Sequence, residues 1–182
     1  IFAYDVTTGN RVASFNHSLN GQGLVVRAAP DGSRIYVGGD FTAVDGVARG
    51  HIAAFDTATG NLLNNFAPNT DGQVRAFAIT SSTVYAGGNF RSSAGVARGL
   101  FAAYNPSNGA ITAWAPVADG GYVWSMVLSP DNSRVIASGS FTTINAVDAY
   151  GMGSIDANSG ATLEWAAQTR IRAAGINGAI SS

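Results

Sequence analysis

The chain has 182 residues, of which 46% are hydrophobic and 12% charged, and its formal net charge is −1. This balance excludes the basic surface that nucleic-acid binding requires, and no apolar run reaches the roughly 18 residues of a membrane-spanning helix. The lack of cysteine excludes disulfides, thiolate metal sites and cysteine nucleophiles. We therefore expect no nucleic-acid partner and no membrane insertion in this segment.

The predicted elements are short strands joined by tight turns. The opening residues, IFAYDVTTG, match the end of a later unit, and the first complete unit follows them. Its four strands are predicted at residues 24–29, 34–38, 51–56 and 61–66. Turns are predicted at 30–33 and 56–60, where Pro, Asp and Gly supply the required backbone angles. A loop is predicted at 40–50.

The next two units repeat this order of elements. Strands are predicted at residues 73–79, 83–87, 100–105 and 110–114, and then at 122–128, 134–137, 152–156 and 161–165. Residues 170–176 are predicted to be the first strand of a further unit. The first two strands of each unit are near-continuous apolar runs, which is typical of strands covered on both faces. The fourth is more polar, as an outer edge strand should be.

The unit recurs with a period of about 50 residues. RIYVGGDFTAVDGVARGHIAAFDTATG at 34–60 returns at 83–109 as TVYAGGNFRSSAGVARGLFAAYNPSNG, and more loosely at 134–160. The closing glycines, Gly9, Gly60, Gly109 and Gly160, are 51, 49 and 51 residues apart. The predicted units are residues 1–20 (partial), 21–68, 69–117, 118–167 and 168–182 (partial).

A period of this length with four strands predicts an all-β fold, a β-propeller of four-stranded antiparallel blades. The chain holds roughly three and a half blades, and a propeller closes with about 4–8. We therefore expect an incomplete arc that belongs to a longer chain.

Several residue types recur once per unit. The glycine pairs Gly38-Gly39 and Gly87-Gly88 predict a bulge or a close approach between blades. Recurring aromatics predict wedges between blades, with carbohydrate stacking as the alternative; they are Phe15, Phe41, Phe66, Phe90, Trp114, Phe141 and Trp165. For Arg49 and Arg98, ion pairs within the blade are predicted, with Asp31, Asp40 and Asp45 as the nearby acids.

The candidate ligand contacts are Arg27, Arg75, Trp124 and Arg172. They follow one another at steps of 48, 49 and 48 residues in the first strand of each unit. That strand is innermost in a propeller, so these side chains could line its channel, and three guanidinium groups would attract a carboxylate, a phosphate or an acidic partner loop. The alternative is that each arginine pairs with an aspartate or caps carbonyl groups of a neighbouring blade.

No catalytic, cofactor or metal residues are predicted. His17 and His51 do not recur in register, and neither has a second ligand at metal-binding spacing. No D-x-D-x-D-G calcium loop is present.

The combination of YVGGDF, AR followed by IAAFD, a closing T-G and an aromatic residue before Ala-Pro resembles a family of secreted or surface-anchored bacterial β-propellers, of the actinobacterial type, whose function is largely unknown. The glycine pair also resembles kelch repeats, although the aromatic spacing after it departs from theirs. The resemblance implies a non-enzymatic extracellular or cell-surface binding or scaffold module. Its partners would be a protein, a carbohydrate or other copies of itself. The alternatives are part of a secreted enzyme, glycan-active or oxidoreductase-type, with catalytic residues elsewhere, and a structural subunit of a surface assembly.

Overall fold

The computed structural model describes residues 1–165, and within them every regular element is a strand. In chain order these are β1 (Phe2–Tyr4), β2 (Arg11–Asn16), β3 (Gly23–Ala28), β4 (Arg34–Gly39), β5 (Ala43–Val44), β6 (Val47–Ala48), β7 (Ile52–Asp56), β8 (Gln73–Ile79), β9 (Val84–Asn89), β10 (Ser92–Ser93), β11 (Val96–Ala97), β12 (Phe101–Tyr104), β13 (Ala118–Asp119), β14 (Val123–Leu128), β15 (Arg134–Gly139), β16 (Thr143–Ile144), β17 (Val147–Asp148), β18 (Met152–Asp156) and β19 (Thr162–Leu163). The all-β prediction is confirmed for this part of the chain. The strand predicted at 170–176 lies outside the described residues.

Each sheet draws its strands from one repeat unit. The sheet orders are β3-β4-β7 in the first complete unit, β8-β9-β12 in the second and β14-β15-β18-β19 in the third, and β1 pairs with β2. All of these pairs are antiparallel. Within residues 1–165 no named sheet runs from one unit into the next. The units meet through their faces and through loop hydrogen bonds, such as that from the N–H of Thr70 to the carbonyl of Gly50.

The fourth strand is shorter than predicted. In the third unit it is the two-residue β19, and in the first two units it is reduced to single bridges, Phe55 with Leu62 and Tyr104 with Ile111. In the first unit the chain turns after the bridge, where the N–H of Phe66 donates to the carbonyl of Leu63. The turn ends the strand because it carries the Phe66 ring, which is fully buried, into the core.

The loop predicted at 40–50 contains a small hairpin in which β5 pairs with β6. Asp45 and Gly46 at its tip both have positive φ, 49° and 78°, as a two-residue type I′ turn demands. The other units repeat the hairpin as β10-β11 and β16-β17. A short segment ahead of the first strand adds to each hairpin, through Leu19, Thr70 and β13.

Aromatic rings fill the space between neighbouring units, which confirms the predicted wedges. Phe66 lies between Tyr36 of its own unit and Tyr104 of the next, at ring-centroid distances of 5.1 and 6.2 Å. Trp114 packs in the same way against Tyr85, at 4.8 Å. Phe41, Phe90 and Phe141 are buried as well.

The glycine pair at the end of the second strand has two structural roles. A Cβ at Gly38 would lie 2.7 Å from Cγ1 of Val74 in the next unit, so the first glycine permits close approach of two blades. The second glycine lies beside a bulge in the first strand: Gly39 is paired with Gly23, but Gly38 is already paired with Val25. Both predicted roles are confirmed.

Candidate functional site

The first strands of the three units lie side by side and enclose a groove. Arg27 on β3, Arg75 on β8 and Trp124 on β14 all line this cavity of about 220 Å³. Val25, Ala76, Phe77 and Met126, which also line it, are buried. The structure therefore brings together three of the four predicted contacts, and Arg172 lies outside the described residues.

The strand register corrects one equivalence drawn from the sequence. The bulge residues, skipped between paired positions, are Leu24, Arg75 and Trp124. Arg27 lies three residues further along its strand, where it pairs with Tyr36, and the corresponding residue of the second unit is Ala78. The bulge residues follow one another at steps of 51 and 49 residues, whereas Arg27 and Arg75 are 48 residues apart. The V-R-A triplets therefore align by letters but not by position. Leu24 is the true counterpart of Arg75.

Neither groove arginine is neutralised by a carboxylate. Arg27 donates from Nη1 to the carbonyl of Val26 at 3.0 Å, and Arg75 donates from Nη2 to Oε1 of Gln73. The Nε of Arg75 is buried without a partner. No ion pair of residues 1–165 includes either arginine, and no acid lines the groove. Pairing with aspartate, one of the two alternatives, is therefore not seen here, nor is capping of a neighbouring blade.

Trp124 supplies the exposed aromatic surface of the groove. Its side chain is 37% exposed, unlike the recurring wedge Trp114, which is 4% exposed and donates from Nε1 to the carbonyl of Asp156. An apolar floor, an open indole and two guanidinium groups can together hold an acidic group that is attached to an apolar one.

The ion pairs predicted for Arg49 and Arg98 are wrong. Arg49 donates to the carbonyl of Ala48 and to Oδ1 of Asn64, both at 2.8 Å, and Arg98 donates to the carbonyls of Ala97 and Thr112. These bonds connect the hairpin to the fourth-strand segment of the same unit. Burial lowers the pKa of Arg49.

The acids proposed for those ion pairs have other partners. Asp31 accepts from Ser33 within its own turn. Asp45 accepts from Nδ1 of His17 at 2.6 Å, and Asp40 lies 4.0 Å from His51.

Sequence reasoning missed the structural role of His17. Its Nδ1 lies 2.6 Å from the Asp45 carboxylate and its Nε2 lies 2.7 Å from the carbonyl of Gly60. The ring also packs against Phe55 at 4.4 Å. The two ring nitrogens therefore connect the hairpin tip of the first complete unit to the turn that closes that unit. His17 has no counterpart in the other units. This pattern indicates a local structural role and not one repeated in each unit.

In residues 1–165 no group of three or more histidine, aspartate or glutamate side chains is arranged to hold a metal ion. The same residues contain no long apolar helix of the kind that crosses a membrane.

No protein-family model matches the chain, and no curated protein matches it. Among solved structures it is similar to a propeller-like chain in the crystal structure of a mitotic checkpoint complex, with 14% sequence identity and a TM-score of 0.64. The similarity covers 90% of this chain but only 44% of that one, so the segment spans less than half the length of its structural neighbour. At this identity the likeness shows the fold alone. Together with the separate antiparallel sheets, it gives the segment an all-β, propeller-like fold.

Proposed function

We propose that the segment is a non-enzymatic binding or scaffold module that holds an acidic segment of a protein partner in the groove of Arg27, Arg75 and Trp124. The observation that carries this is the pair of guanidinium groups with no carboxylate beside them, next to an exposed indole and an apolar floor. Arg75 is half-buried and Arg27 is exposed. A half-buried cation without a counter-charge favours an anionic ligand.

The volume of the groove limits which ligands fit it. Sites for drug-sized molecules are usually about 300–1,000 Å³, and this groove holds about 220 Å³. It suits one or two side chains of a larger partner, namely an aspartate or glutamate followed by an apolar residue that packs on Trp124. Arginine presents a planar fork of donors that matches a carboxylate.

The same proposal includes an extracellular or cell-surface location and a relationship to bacterial propellers with kelch-like features. Both are supported by the sequence resemblance. The rival function is a secreted enzyme with catalytic residues in other parts of a longer chain. The groove itself is lined by no carboxylate, imidazole or thiol, which favours binding over catalysis at this place.

The experiment measures fluorescence anisotropy of a labelled hexapeptide of alternating glutamate and leucine, with the lysine–leucine hexapeptide as the charge-reversed probe. The acidic peptide should bind and the basic one should not. We expect Arg75→Gln to weaken binding about five- to tenfold, since a charge-assisted hydrogen bond in a half-buried site contributes about 1–1.4 kcal/mol. Arg27→Gln should weaken binding less, because Arg27 is exposed. Added salt should weaken binding as well.

Arg91→Gln is the matched control. Arg91 is an exposed arginine that lies 3.6 Å from Asp119 and does not line the groove, so binding should be unchanged. If the acidic peptide binds equally well to the parent protein and to Arg75→Gln, or if the basic peptide binds as tightly, the proposal is wrong.

One observation favours the structural-subunit alternative. Phe2 and Tyr4, both on β1, are 54% and 61% exposed. A second copy that packs there would bury them. Sedimentation velocity of the parent and of Phe2→Ser/Tyr4→Ser tests this; a concentration-dependent dimer that the double substitution abolishes would favour assembly.

A further inference from the structure

The turns within the blades form two polar clefts. The turn between the first and second strands lies beside the turn between the third and fourth, as the bond from Thr57 N to the carbonyl of Ser33 shows. A cleft of about 200 Å³ separates these turns in the first and second units, and one of about 540 Å³ separates the second and third. Thr80 and Ser81 line both, so the clefts adjoin across a single turn.

The larger cleft is lined by uncharged polar groups. Ser82, Thr83, Thr112, Asn132 and Asn158 contribute hydroxyl and amide groups, and no charged side chain lines it. Hydroxyls and amides both donate and accept hydrogen bonds. A charged ligand would find no counter-charge there, whereas a ligand rich in hydroxyl groups could form hydrogen bonds with these side chains both as donor and as acceptor.

The smaller cleft is also close to electrically neutral, because Asp31 and Arg34 both line it. Its volume is below the usual range for a drug-sized ligand, and that of the larger cleft lies within the range. One ring-sized group therefore fits the first cleft and a longer stretch of the same molecule fits the second.

A comparison of equivalent tyrosines points to a ligand contact. In the second unit, Tyr85 donates from Oη to the carbonyl of Ala157 at 2.7 Å. In the first unit, the equivalent carbonyl, that of Pro106, accepts a hydrogen bond from Nη1 of Arg34 instead. The fully buried hydroxyl of Tyr36, which lines the smaller cleft, therefore has no acceptor for its proton, although the Arg34 side chain lies beside it. A buried hydroxyl without an acceptor is costly, and an acceptor placed in the cleft would satisfy it.

We propose that these adjoining clefts are a binding site for an uncharged oligosaccharide, with one sugar ring in the smaller cleft near Tyr36 and Arg34 and the following rings along Ser81 towards Asn158. Sugar hydroxyls supply both donors and acceptors, as the lining requires. This site is separate from the arginine groove, since the two share no lining residue.

The experiment titrates the protein calorimetrically with hexasaccharides of β-1,4-glucose, α-1,4-glucose, β-1,4-xylose, β-1,4-mannose and β-1,4-N-acetylglucosamine, and with anionic oligogalacturonate. We expect binding of at least one neutral sugar and weaker binding of the anionic one. Ser81→Ala and Asn158→Ala should each raise the dissociation constant of the neutral sugar at least fivefold. Asn10→Ala, which changes an exposed asparagine in a turn away from the clefts, should have no effect.

Tyr36→Phe and its counterpart Tyr85→Phe supply a readout that does not depend on sugar. Tyr36→Phe should leave the thermal midpoint unchanged or higher and weaken sugar binding, whereas Tyr85→Phe should lower the midpoint because it removes a formed bond. The proposal is overturned if no neutral sugar binds at millimolar concentration, or if binding survives both Ser81→Ala and Asn158→Ala. It is equally overturned if Arg75→Gln abolishes binding, which would place the sugar in the arginine groove.

Discussion

The close approach of neighbouring blades at Gly38 can be tested by adding one methyl group. In Gly38→Ala the new Cβ would lie 2.7 Å from Cγ1 of Val74 and 2.8 Å from Cγ1 of Val25, where ordinary contacts are 3.4–4 Å. Both neighbours are buried, β-branched and therefore stiff. The backbone must yield, and overpacking of this kind typically costs about 1–3 kcal/mol of unfolding free energy.

The assay is urea unfolding followed by tryptophan fluorescence, supported by the thermal midpoint, which should fall by about 3–10 °C for a domain of this size. Gly23→Ala is the matched control because Gly23 also lies in a strand, and its added Cβ would meet the flexible end of Leu19 at 3.3 Å and Cγ1 of Val37 at 3.9 Å, an ordinary contact. We expect its stability to stay within about 0.5 kcal/mol of the parent.

A double-mutant cycle identifies the cause. Val74→Ala removes the Cγ1 atom that the new methyl would strike, so Gly38→Ala should cost at least 1 kcal/mol less in that background. Equal stability of Gly38→Ala and Gly23→Ala, or strict additivity with Val74→Ala, would refute the reasoning that these two blades pack face to face at this glycine.

Three further predictions concern turns and titrating groups. The hydrogen bonds of Ser129 and Ser133 lower the pKa of Asp131 to about 2 from the ordinary 3.8. The carboxylate therefore stabilises the fold above pH 3.8, and this stabilisation is lost as the pH falls towards 2. The difference in urea midpoint between the parent and Asp131→Ala should narrow over that range, and a constant difference would contradict the prediction. Burial raises the pKa of Tyr104 from 10.0 to about 12. Folding favours the neutral phenol, so the protein should lose stability as the pH rises from 10 to 12. In the same assay, Tyr104→Phe should lose less stability than the parent over that interval. Ala94 has a φ of 50° in its hairpin turn, where glycine is unstrained, so Ala94→Gly should raise the unfolding free energy by up to about 1 kcal/mol, and a loss in chemical denaturation would count against the turn geometry.

Repetition in the sequence predicted the separate units, the first three strands of each and the aromatic wedges, because those features follow from a local pattern read several times. The hairpin within each loop was predictable in the first unit, where Asp45-Gly46 between two valines is a strong type I′ signal. Ala94-Gly95 and Asn145-Ala146 weaken that signal, although their φ values are positive as well. The turn is retained there because tertiary pairing with the preceding segment holds it.

The arginines show what a single sequence leaves open. Arg49 has acids near it in the sequence, but the donors of Arg49 and Arg98 reach amide and carbonyl oxygens of the fourth-strand segment, which no local pattern reveals. Arg27 and Arg75 share a triplet but not a register, because a bulge shifts the pairing of each first strand. Their convergence on one groove depends on how β3, β8 and β14 meet in space.

The placement of small and large residues between blades also has a geometric consequence. Glycine at 38 and 87 lets the first and second strands of adjacent sheets approach closely, while Phe66 and Trp114 hold the later strands apart. Each interface is therefore tapered, and the taper sets the rotation from one sheet to the next. Larger residues at the narrow side would reduce the taper and with it the angle between adjacent sheets, so the small residues at 38 and 87 help to set how sharply the array of sheets curves.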